Sequence, residues 1–221
     1  MSEMNWDREV DVLVVGTGNG GLTAAVCNWE MGTKNVLIIE KQDKVGGTSA
    51  TSGGGIWIPN SHYAKEVGAE DNPADAKAYL MNTLFGEDVP EEMIDVYLEK
   101  APEMLKYLHD RTDVRYESLA EYPDYYTNME GAREGHRSLE PAPIMASDLG
   151  ENWKNMTWTH FMMRMFNRIH FTQVEAHLLM VQLPGWKRLL ARLMWDYVRD
   201  IPWRFKTPIS RRLACGSAGV A

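Results

Sequence analysis

The sequence predicts an α/β fold in which a Rossmann-like βαβ unit is followed by a mostly helical continuation. Three observations predict it: a β-branched run that stops at a glycine, a glycine-rich turn that leads into a helix, and a second β-branched run shortly afterwards. The chain has 221 residues, of which 44% are hydrophobic and 24% are charged. Such a composition is typical of globular domains with a buried core.

The first strand, the helix and the second strand follow one another without a gap. The run Val10 to Val15 predicts a buried strand that ends at Gly16. From Gly21 to Met31 the apolar residues recur at helical spacing, and the following glycine predicts the end of the helix. Asn35 to Lys41 predicts the second strand. A right-handed crossover would place the two strands side by side and parallel.

Several glycines lie in the turn between the first predicted strand and the helix. Gly16, Gly18 and Gly21 form the pattern G-x-G-x-x-G, with Gly20 as an additional glycine. The first permits a tight turn, the second lets a pyrophosphate approach the backbone, and the third lets the helix pack on the strand. Glu40 ends the second strand, about twenty residues on, where an acid that accepts hydrogen bonds from ribose is expected. The alternative is a tight turn without a ligand.

A second cluster of glycines and hydroxyls follows at "KVGGTSATSGGG". The first motif alone does not separate a nicotinamide from a flavin dinucleotide, because both carry adenosine pyrophosphate. The second cluster favours a longer cofactor whose phosphates, ribityl chain or ring edge meet backbone and hydroxyl groups. A flexible linker is the alternative. The apolar run "IWIPN", which follows at once, favours an ordered segment.

The segments "DVLVVGTGNGGLTAA", "IIEK" and "VGGTSATSGGGIWIPN" resemble the N-terminal FAD-binding segment of the fumarate reductase and succinate dehydrogenase flavoprotein superfamily. The ending "GGGIWIPN" is most similar to the 3-ketosteroid Δ1-dehydrogenase branch. The resemblance implies FAD as the cofactor and Glu40 as its ribose ligand, with Lys41 as a weaker candidate. It implies pyrophosphate contacts from Gly16, Gly18, Gly20 and Gly21, and contacts nearer the flavin from Gly47, Thr48, Ser49, Ser52, Gly53 and Gly54.

The middle of the chain predicts helices and then a loop. Asn72 and Pro73 mark the start of one helix, and Pro90 starts the next, which Pro102 kinks or splits. The segment 113–141 has no repeating period and gathers tyrosines, which indicates a loop that either lines a site or packs on the surface.

The tyrosine segment also carries part of the resemblance. "YPDYY" followed by "GHRSLEP" resembles the ketosteroid-dehydrogenase segment that places an active-site tyrosine over the flavin. The resemblance assigns this catalytic role to Tyr125 or Tyr126, with a slight preference for Tyr125.

Residues 158–205 are rich in methionine, tryptophan, arginine and leucine, and Pro184 and Gly185 separate two predicted helices. A membrane-surface patch and an interior face both fit this mixture, and interior packing is the preferred interpretation. The histidines at 160, 170 and 177 have no metal-ligand spacing, so we predict no metal site.

Charge and cysteine content exclude several classes of function. A net charge of −8 disfavours a nucleic-acid partner. Two cysteines form neither a disulfide framework nor a metal cluster. The acidic N-terminus resembles no secretory signal, and no apolar run is long enough for a membrane span. We therefore expect a cytoplasmic location.

The resemblance therefore implies an FAD-dependent dehydrogenase that introduces a carbon–carbon double bond beside the ketone of a steroid-like substrate, with an electron acceptor that the sequence does not identify. Residues 1–60 would form the N-terminal part of the FAD-binding domain, and residues 61–221 a helical continuation and the start of a substrate domain. We expect the FAD-binding domain to be incomplete in this chain. The alternatives are a fumarate reductase-like enzyme acting on a small dicarboxylate, and an inactive FAD-binding fragment.

Overall fold

A computed structural model describes residues 6–221, of which 44% are helical and 12% lie in strands. Residues 1–5, which are the first residues of the acidic N-terminus and of the predicted N-terminal part, lie outside the described residues. The strands are β1 (Val12–Val15), β2 (Val36–Ile39), β3 (Ile56–Trp57), β4 (Tyr116–Ser118), β5 (Ser138–Pro141), β6 (Ile144–Met145), β7 (Arg164–Met165), β8 (Ile169–His170) and β9 (Arg212–Leu213). The α-helices are α1 (Asn19–Glu30), α2 (Gly47–Thr51), α3 (His62–Glu66), α4 (Pro73–Asn82), α5 (Glu91–Arg111), α6 (Gln173–Met180), α7 (Trp186–Arg199), α8 (Ile201–Arg204) and α9 (Gly216–Gly219).

The first unit has the predicted strand, turn, helix and strand. β1 and β2 are parallel and pair in register from Val12 opposite Val36 to Val15 opposite Ile39. Among the described residues these two strands form a sheet of their own, and β1 exposes Val15 to 75%. The sheet therefore has an apolar surface that nothing in residues 6–221 covers.

The helix starts in the middle of the chain are largely as predicted. The Asn72 side chain accepts a hydrogen bond from the Ala74 amide, and Pro73 is the first residue of α4. α5 runs through Pro102 without interruption, so of the two predicted alternatives, a kink or a split, the split is wrong. Ala101 and Leu105 are buried on either side of this proline, and their packing holds the helix together despite the lost hydrogen bond.

Besides their helices, residues 61–221 contain the short strands β4 to β9. β5 pairs with β3 on one side and with β4 on the other, all antiparallel. The segment 113–141 therefore begins and ends in strands, and only residues 119–137 between them form a loop. We call residues 119–137 the tyrosine loop.

Several small cores replace one large core. One cluster joins α3, α5 and the β3–β5–β4 sheet, around Ile58, Leu105 and Leu139. A second joins Trp153 and Trp203 to Leu213. Within residues 6–221, no helix combines the length and the apolar character that crossing a membrane requires.

Candidate functional site: a glycine cradle and an adjoining cleft

The turn between β1 and α1 is shaped by two glycines. Gly16 has a φ of +98°, which strongly favours glycine, and its amide donates to the Ile39 carbonyl over 2.7 Å. A Cβ on Gly21 would lie 2.2 Å from the Gly16 carbonyl oxygen. The close approach of α1 to β1 therefore depends on the absence of a side chain at Gly21.

The same turn leaves room for a ligand at other glycines. A Cβ on Gly16 or Gly20 would meet no atom within 4 Å, so packing does not account for the missing side chain at Gly20. Gly18 is the N-cap residue of α1 and supplies no capping side chain. The buried Oδ1 of Asn19 has no hydrogen-bond partner among the described residues. The N–H groups at this helix N-terminus fit an anionic group such as a pyrophosphate, whereas the Asn19 oxygen, an acceptor, would need a donor from the ligand.

Glu40 is held at the end of β2 by hydrogen bonds to its carboxylate. The hydroxyl and the amide of Thr17 both donate to Oε2, the amide over 3.0 Å, and the Gln42 amide donates to Oε1 over 3.1 Å. The Thr17 hydroxyl and these amides lower the pKa of Glu40, so that it remains an acceptor for hydroxyl donors. Lys41, the next residue, is exposed.

The second glycine cluster folds back onto the first. The Thr17 hydroxyl accepts a hydrogen bond from the Gly46 amide over 2.9 Å, and Ser49 Oγ accepts one from the Asn19 amide over 3.1 Å. A Cβ on Gly47 would lie 3.8 Å from the Gly18 nitrogen. The structure thus brings together two segments that the sequence places about thirty residues apart. We call residues 16–21 and 46–54 the glycine cradle.

The remaining predicted residues line the cradle's far end in different ways. Thr48 is exposed, and Ser52 Oγ donates to the Ser49 carbonyl while accepting from the Gly54 amide. Gly53 lies beside Gln173. Gly54 is buried, and a Cβ there would lie 2.8 Å from the Gly216 nitrogen, so packing accounts for this glycine.

Residues 215–219, which we call the backing layer, pack against residues 49–54 of the cradle. The sequence analysis did not predict this contact. The Gly216 amide donates to the Ser52 carbonyl over 3.0 Å, and a Cβ on Gly216 would lie 2.0 Å from the Ser49 carbonyl oxygen. Thr159 bonds Ser217 over 2.7 Å, hydroxyl to hydroxyl. The small residues of "CGSAG" were the available signal, since backbone can approach backbone only where side chains are small.

A cleft of about 200 Å³ adjoins the end of the cradle. Its walls include Gly55, Trp57, Tyr122, Tyr125 and Gln173. It therefore joins the residue after the cradle to the tyrosine loop.

The two candidate tyrosines differ in their surroundings. Tyr125 is 83% exposed and lines the cleft. Tyr126 is 44% exposed, donates its backbone amide to the Tyr79 hydroxyl over 3.3 Å, and packs edge-on against Phe85. Tyr122, which the sequence did not single out, also lines the cleft. Partial burial, together with the neighbouring Tyr125 phenol, raises the pKa of Tyr122.

Among residues 6–221, no three His, Cys, Asp or Glu side chains lie close enough together to hold a metal ion. His170 is fully buried with Ser210 Oγ 3.1 Å from its Nδ1, and burial, reinforced by Arg164 and Arg212, lowers its pKa to about 3. Burial also raises the pKa of the Cys215 thiol to about 12, which leaves it unreactive.

Comparisons with known proteins agree with this geometry. The family model described as "FAD binding domain" matches residues 11–211. The 3-oxosteroid 1-dehydrogenase of Comamonas testosteroni is 34% identical in a match that covers 97% of this chain and 37% of that protein. The 3-oxosteroid 1-dehydrogenase of Mycobacterium tuberculosis strain H37Rv is 42% identical over 143 residues, which is 65% of this chain and 25% of that protein.

A solved structure is similar over nearly the same range. The crystal structure of 3-ketosteroid delta1-dehydrogenase from Sterolibacterium denitrificans, in complex with 1,4-androstadiene-3,17-dione, superimposes with a TM-score of 0.89 at 35% identity. The match covers 96% of this chain and 37% of that one. The chain thus spans between a quarter and little more than a third of the length of these relatives. The family resemblance and the FAD cofactor predicted from the sequence are confirmed.

Proposed function

Because the chain belongs to the FAD binding domain family, we propose that it supplies the FAD-binding part of a 3-oxosteroid 1-dehydrogenase. The observation that carries the proposal is the continuity between the glycine cradle and the cleft beneath Tyr125. A cofactor that lies along the cradle would end beside that cleft. The names of the relatives that match over most of the chain support the substrate class.

In the proposed site the first part of the cradle holds the adenosine half of FAD. The N-terminus of α1, opened by Gly18 and Gly20, receives the pyrophosphate, and the Glu40 carboxylate accepts hydrogen bonds from the ribose. Residues Gly47, Thr48, Ser49, Ser52, Gly53 and Gly54 lie toward the flavin. Gly54 serves there by allowing the backing layer to approach. The parallel β1–α1–β2 unit supports a Rossmann-like character for the domain.

The chemistry is a removal of two hydrogens from adjacent carbons of the ketone. When bound, the flavin supplies a hydride acceptor. The protein's part is to take the proton from the carbon next to the ketone, and we assign this to Tyr125 or Tyr126, which would accept the proton as the phenolate and become the phenol. Tyr125 has the more direct access, because its side chain lines the cleft. The dehydrogenase function is preferred over a fumarate reductase-like one, because the relatives that match over most of the chain are named as steroid dehydrogenases.

The test compares Tyr125→Phe, Tyr126→Phe and Tyr122→Phe in the FAD-loaded, full-length enzyme that contains this chain. Turnover of a 3-oxosteroid is measured with an artificial electron acceptor. The variant that lacks the catalytic tyrosine should have a kcat about 100-fold or more below that of the wild type, while its flavin absorbance is retained. If neither the 125 nor the 126 variant loses activity, the catalytic assignment is wrong. Turnover of a small unsaturated dicarboxylate in place of the steroid would favour the fumarate reductase alternative.

Residues 1–221 expressed alone should bind FAD weakly and lack dehydrogenase activity. In residues 6–221 the parallel sheet has two strands and an exposed apolar surface, whereas a doubly wound cofactor domain has several strands covered on both faces. Mixing the purified chain with FAD and assaying a 3-oxosteroid tests this. Clear flavin-dependent turnover would contradict it.

A further inference from the structure

A buried cation lies at the base of the tyrosine loop. Arg137 is only 1% exposed and makes a two-pronged ion pair with Asp71, from Nε over 2.8 Å and from Nη2 over 2.9 Å. Its Nη1 donates to Asp124 over 2.8 Å and to the Gly131 carbonyl over 2.8 Å. One guanidinium therefore joins the segment before α4 to two points of the loop. The fork geometry of arginine allows this, whereas a lysine ammonium could not span all three partners.

Asp124 connects the Arg137 ion pair to other residues of the loop and to Trp57. It directly precedes the candidate tyrosines, and its Oδ1 accepts a hydrogen bond from the Trp57 indole over 2.6 Å. Its Oδ2 accepts the Arg133 amide over 2.9 Å, and its own amide donates to the Arg133 carbonyl over 2.9 Å. Asp124 thus closes the tip of the loop into a ring and ties that ring to Trp57, which is a wall of the cleft.

The guanidinium also contacts the aromatic walls. Its carbon lies 5.7 Å from the Trp57 ring centre and 5.9 Å from that of Tyr79. The Tyr79 hydroxyl accepts the Tyr126 amide. Arg137 therefore touches, directly or through one partner, the residues that frame both candidate tyrosines.

The ends of the loop are held without this ion pair. The Leu119 amide donates to the Ser138 carbonyl over 3.0 Å, and the His136 amide donates to the Leu119 carbonyl over 2.8 Å. These bonds continue the β4–β5 ladder. The charged network acts instead on the tip, at residues 124–133. Burying such charges costs desolvation, and an apolar cluster would stabilise the fold as well or better.

We propose that Arg137, acting through Asp71 and Asp124, is a positioning residue that fixes the tyrosines of the loop over the cleft at Gly55. The proposal rests on the proposed dehydrogenase function, because it assigns the network to the proton-removal step. Arg137 touches neither the glycine cradle nor Glu40, so FAD binding does not depend on it. Its loss lowers the rate of the chemical step and leaves cofactor content unchanged.

The test is Arg137→Lys in the FAD-loaded, full-length enzyme, with Arg133→Gln as the matched control. The Arg133 side chain makes a single, longer contact of 3.2 Å to the same Asp71 and is partly exposed. Arg137→Lys should lower kcat about tenfold or more, with FAD stoichiometry retained. The kinetic isotope effect with substrate deuterated beside the ketone should rise, because positioning a base limits that step. Arg133→Gln should behave as wild type.

Amide hydrogen exchange supplies a readout that does not depend on activity. The Asp124 and Arg133 amides should exchange faster in Arg137→Lys and in Asp124→Asn, but not in Arg133→Gln. Unchanged exchange, or faster exchange with unchanged kcat, would overturn the inference. So would a fall in kcat that is matched by loss of flavin and of global stability. A wild-type enzyme that turns over no 3-oxosteroid would instead refute the proposed function, and the exchange comparison would still decide whether Arg137 orders the loop.

Discussion

The glycine cradle and the tyrosine loop meet at one cleft but are held in place by different interactions. The cradle is built from backbone contacts, in which Gly21 lies against Gly16 and Gly54 lies against Gly216. The tyrosine loop is held by side-chain charges centred on Arg137. Backbone contacts of this kind tolerate no added atom, whereas the ion network depends on the charge of Arg137 and on the fork shape of its guanidinium. The difference suggests a rigid seat for a cofactor beside a loop whose position is set electrostatically.

The largest effect should come from a single methyl group in the cradle. Gly21→Ala would place a Cβ 2.2 Å from the Gly16 carbonyl oxygen, so α1 must move away from β1. We expect the free energy of unfolding to fall by about 3 kcal/mol or more. Chemical denaturation of the full-length enzyme measures it.

Gly20→Ala is the matched control for that change, because its Cβ would meet open space. Its stability should equal or exceed that of the wild type. FAD affinity should still fall if a pyrophosphate approaches this backbone. Equal loss of stability in both variants would contradict the distinction between packing glycines and ligand-facing glycines.

A smaller loss should follow from removing one charge of the loop network. Burial opposes ionisation of Asp71, but the hydrogen bonds and charge of Arg137 lower its pKa below the usual range. Its contribution is therefore present above about pH 4 and is lost as the pH falls through the lower folded-state pKa. Asp71→Asn should destabilise by about 2 kcal/mol at pH 7, and the difference from wild type should shrink below pH 4.

The exposed neighbour Glu70 provides the comparison for Asp71. Glu70→Gln should leave the free energy of unfolding unchanged at both pH values. A difference between Asp71→Asn and wild type that stayed constant down to pH 2 would mean that shape, rather than charge, holds the loop.

The smallest effect on stability, but a clear one on binding, is expected at Glu40. Glu40→Gln keeps the side chain's size and removes the charge that, in the proposed site, accepts hydrogen bonds from the ribose hydroxyl groups. FAD affinity should fall about tenfold, with only a small decrease in the thermal unfolding midpoint of the FAD-free enzyme, as measured by flavin titration and calorimetry. Asp43→Asn, at an exposed carboxylate three residues on, should bind FAD like the wild type. An unchanged dissociation constant for Glu40→Gln would mean that Glu40 does not bind FAD and has only a structural role through its hydrogen bonds with Thr17.

How much the sequence could predict depended on how local each interaction is. The turn from β1 to α1 lies within a few residues, and so does the start of α4 at Asn72 and Pro73. Their signals are glycines, a cap and a proline at fixed spacing. Both elements were predicted close to their observed positions.

The interactions that sequence reasoning missed join distant segments. Arg137 reaches Asp71 across 66 residues, and no local period marks either residue as a partner of the other. β5 pairs with β3 across a comparably large separation in sequence. The sequence analysis therefore predicted a loop where β4 and β5 belong to a small antiparallel sheet. The assignment of individual residues to FAD and to catalysis stays a prediction.

The contact between Gly216 and the Ser49 to Ser52 carbonyls has a consequence for how the chain acquires its structure. The cradle's second half is completed by residues that are synthesised more than 160 positions later. Contacts at such sequence separation form slowly, because loop closure must precede them. During synthesis, β1 and β2 can pair early, but residues 46–54 have to wait for "CGSAG" to emerge. Loading of FAD is therefore a late event in folding, and a nascent chain that has not yet reached Gly216 would be open at this end and vulnerable to proteases.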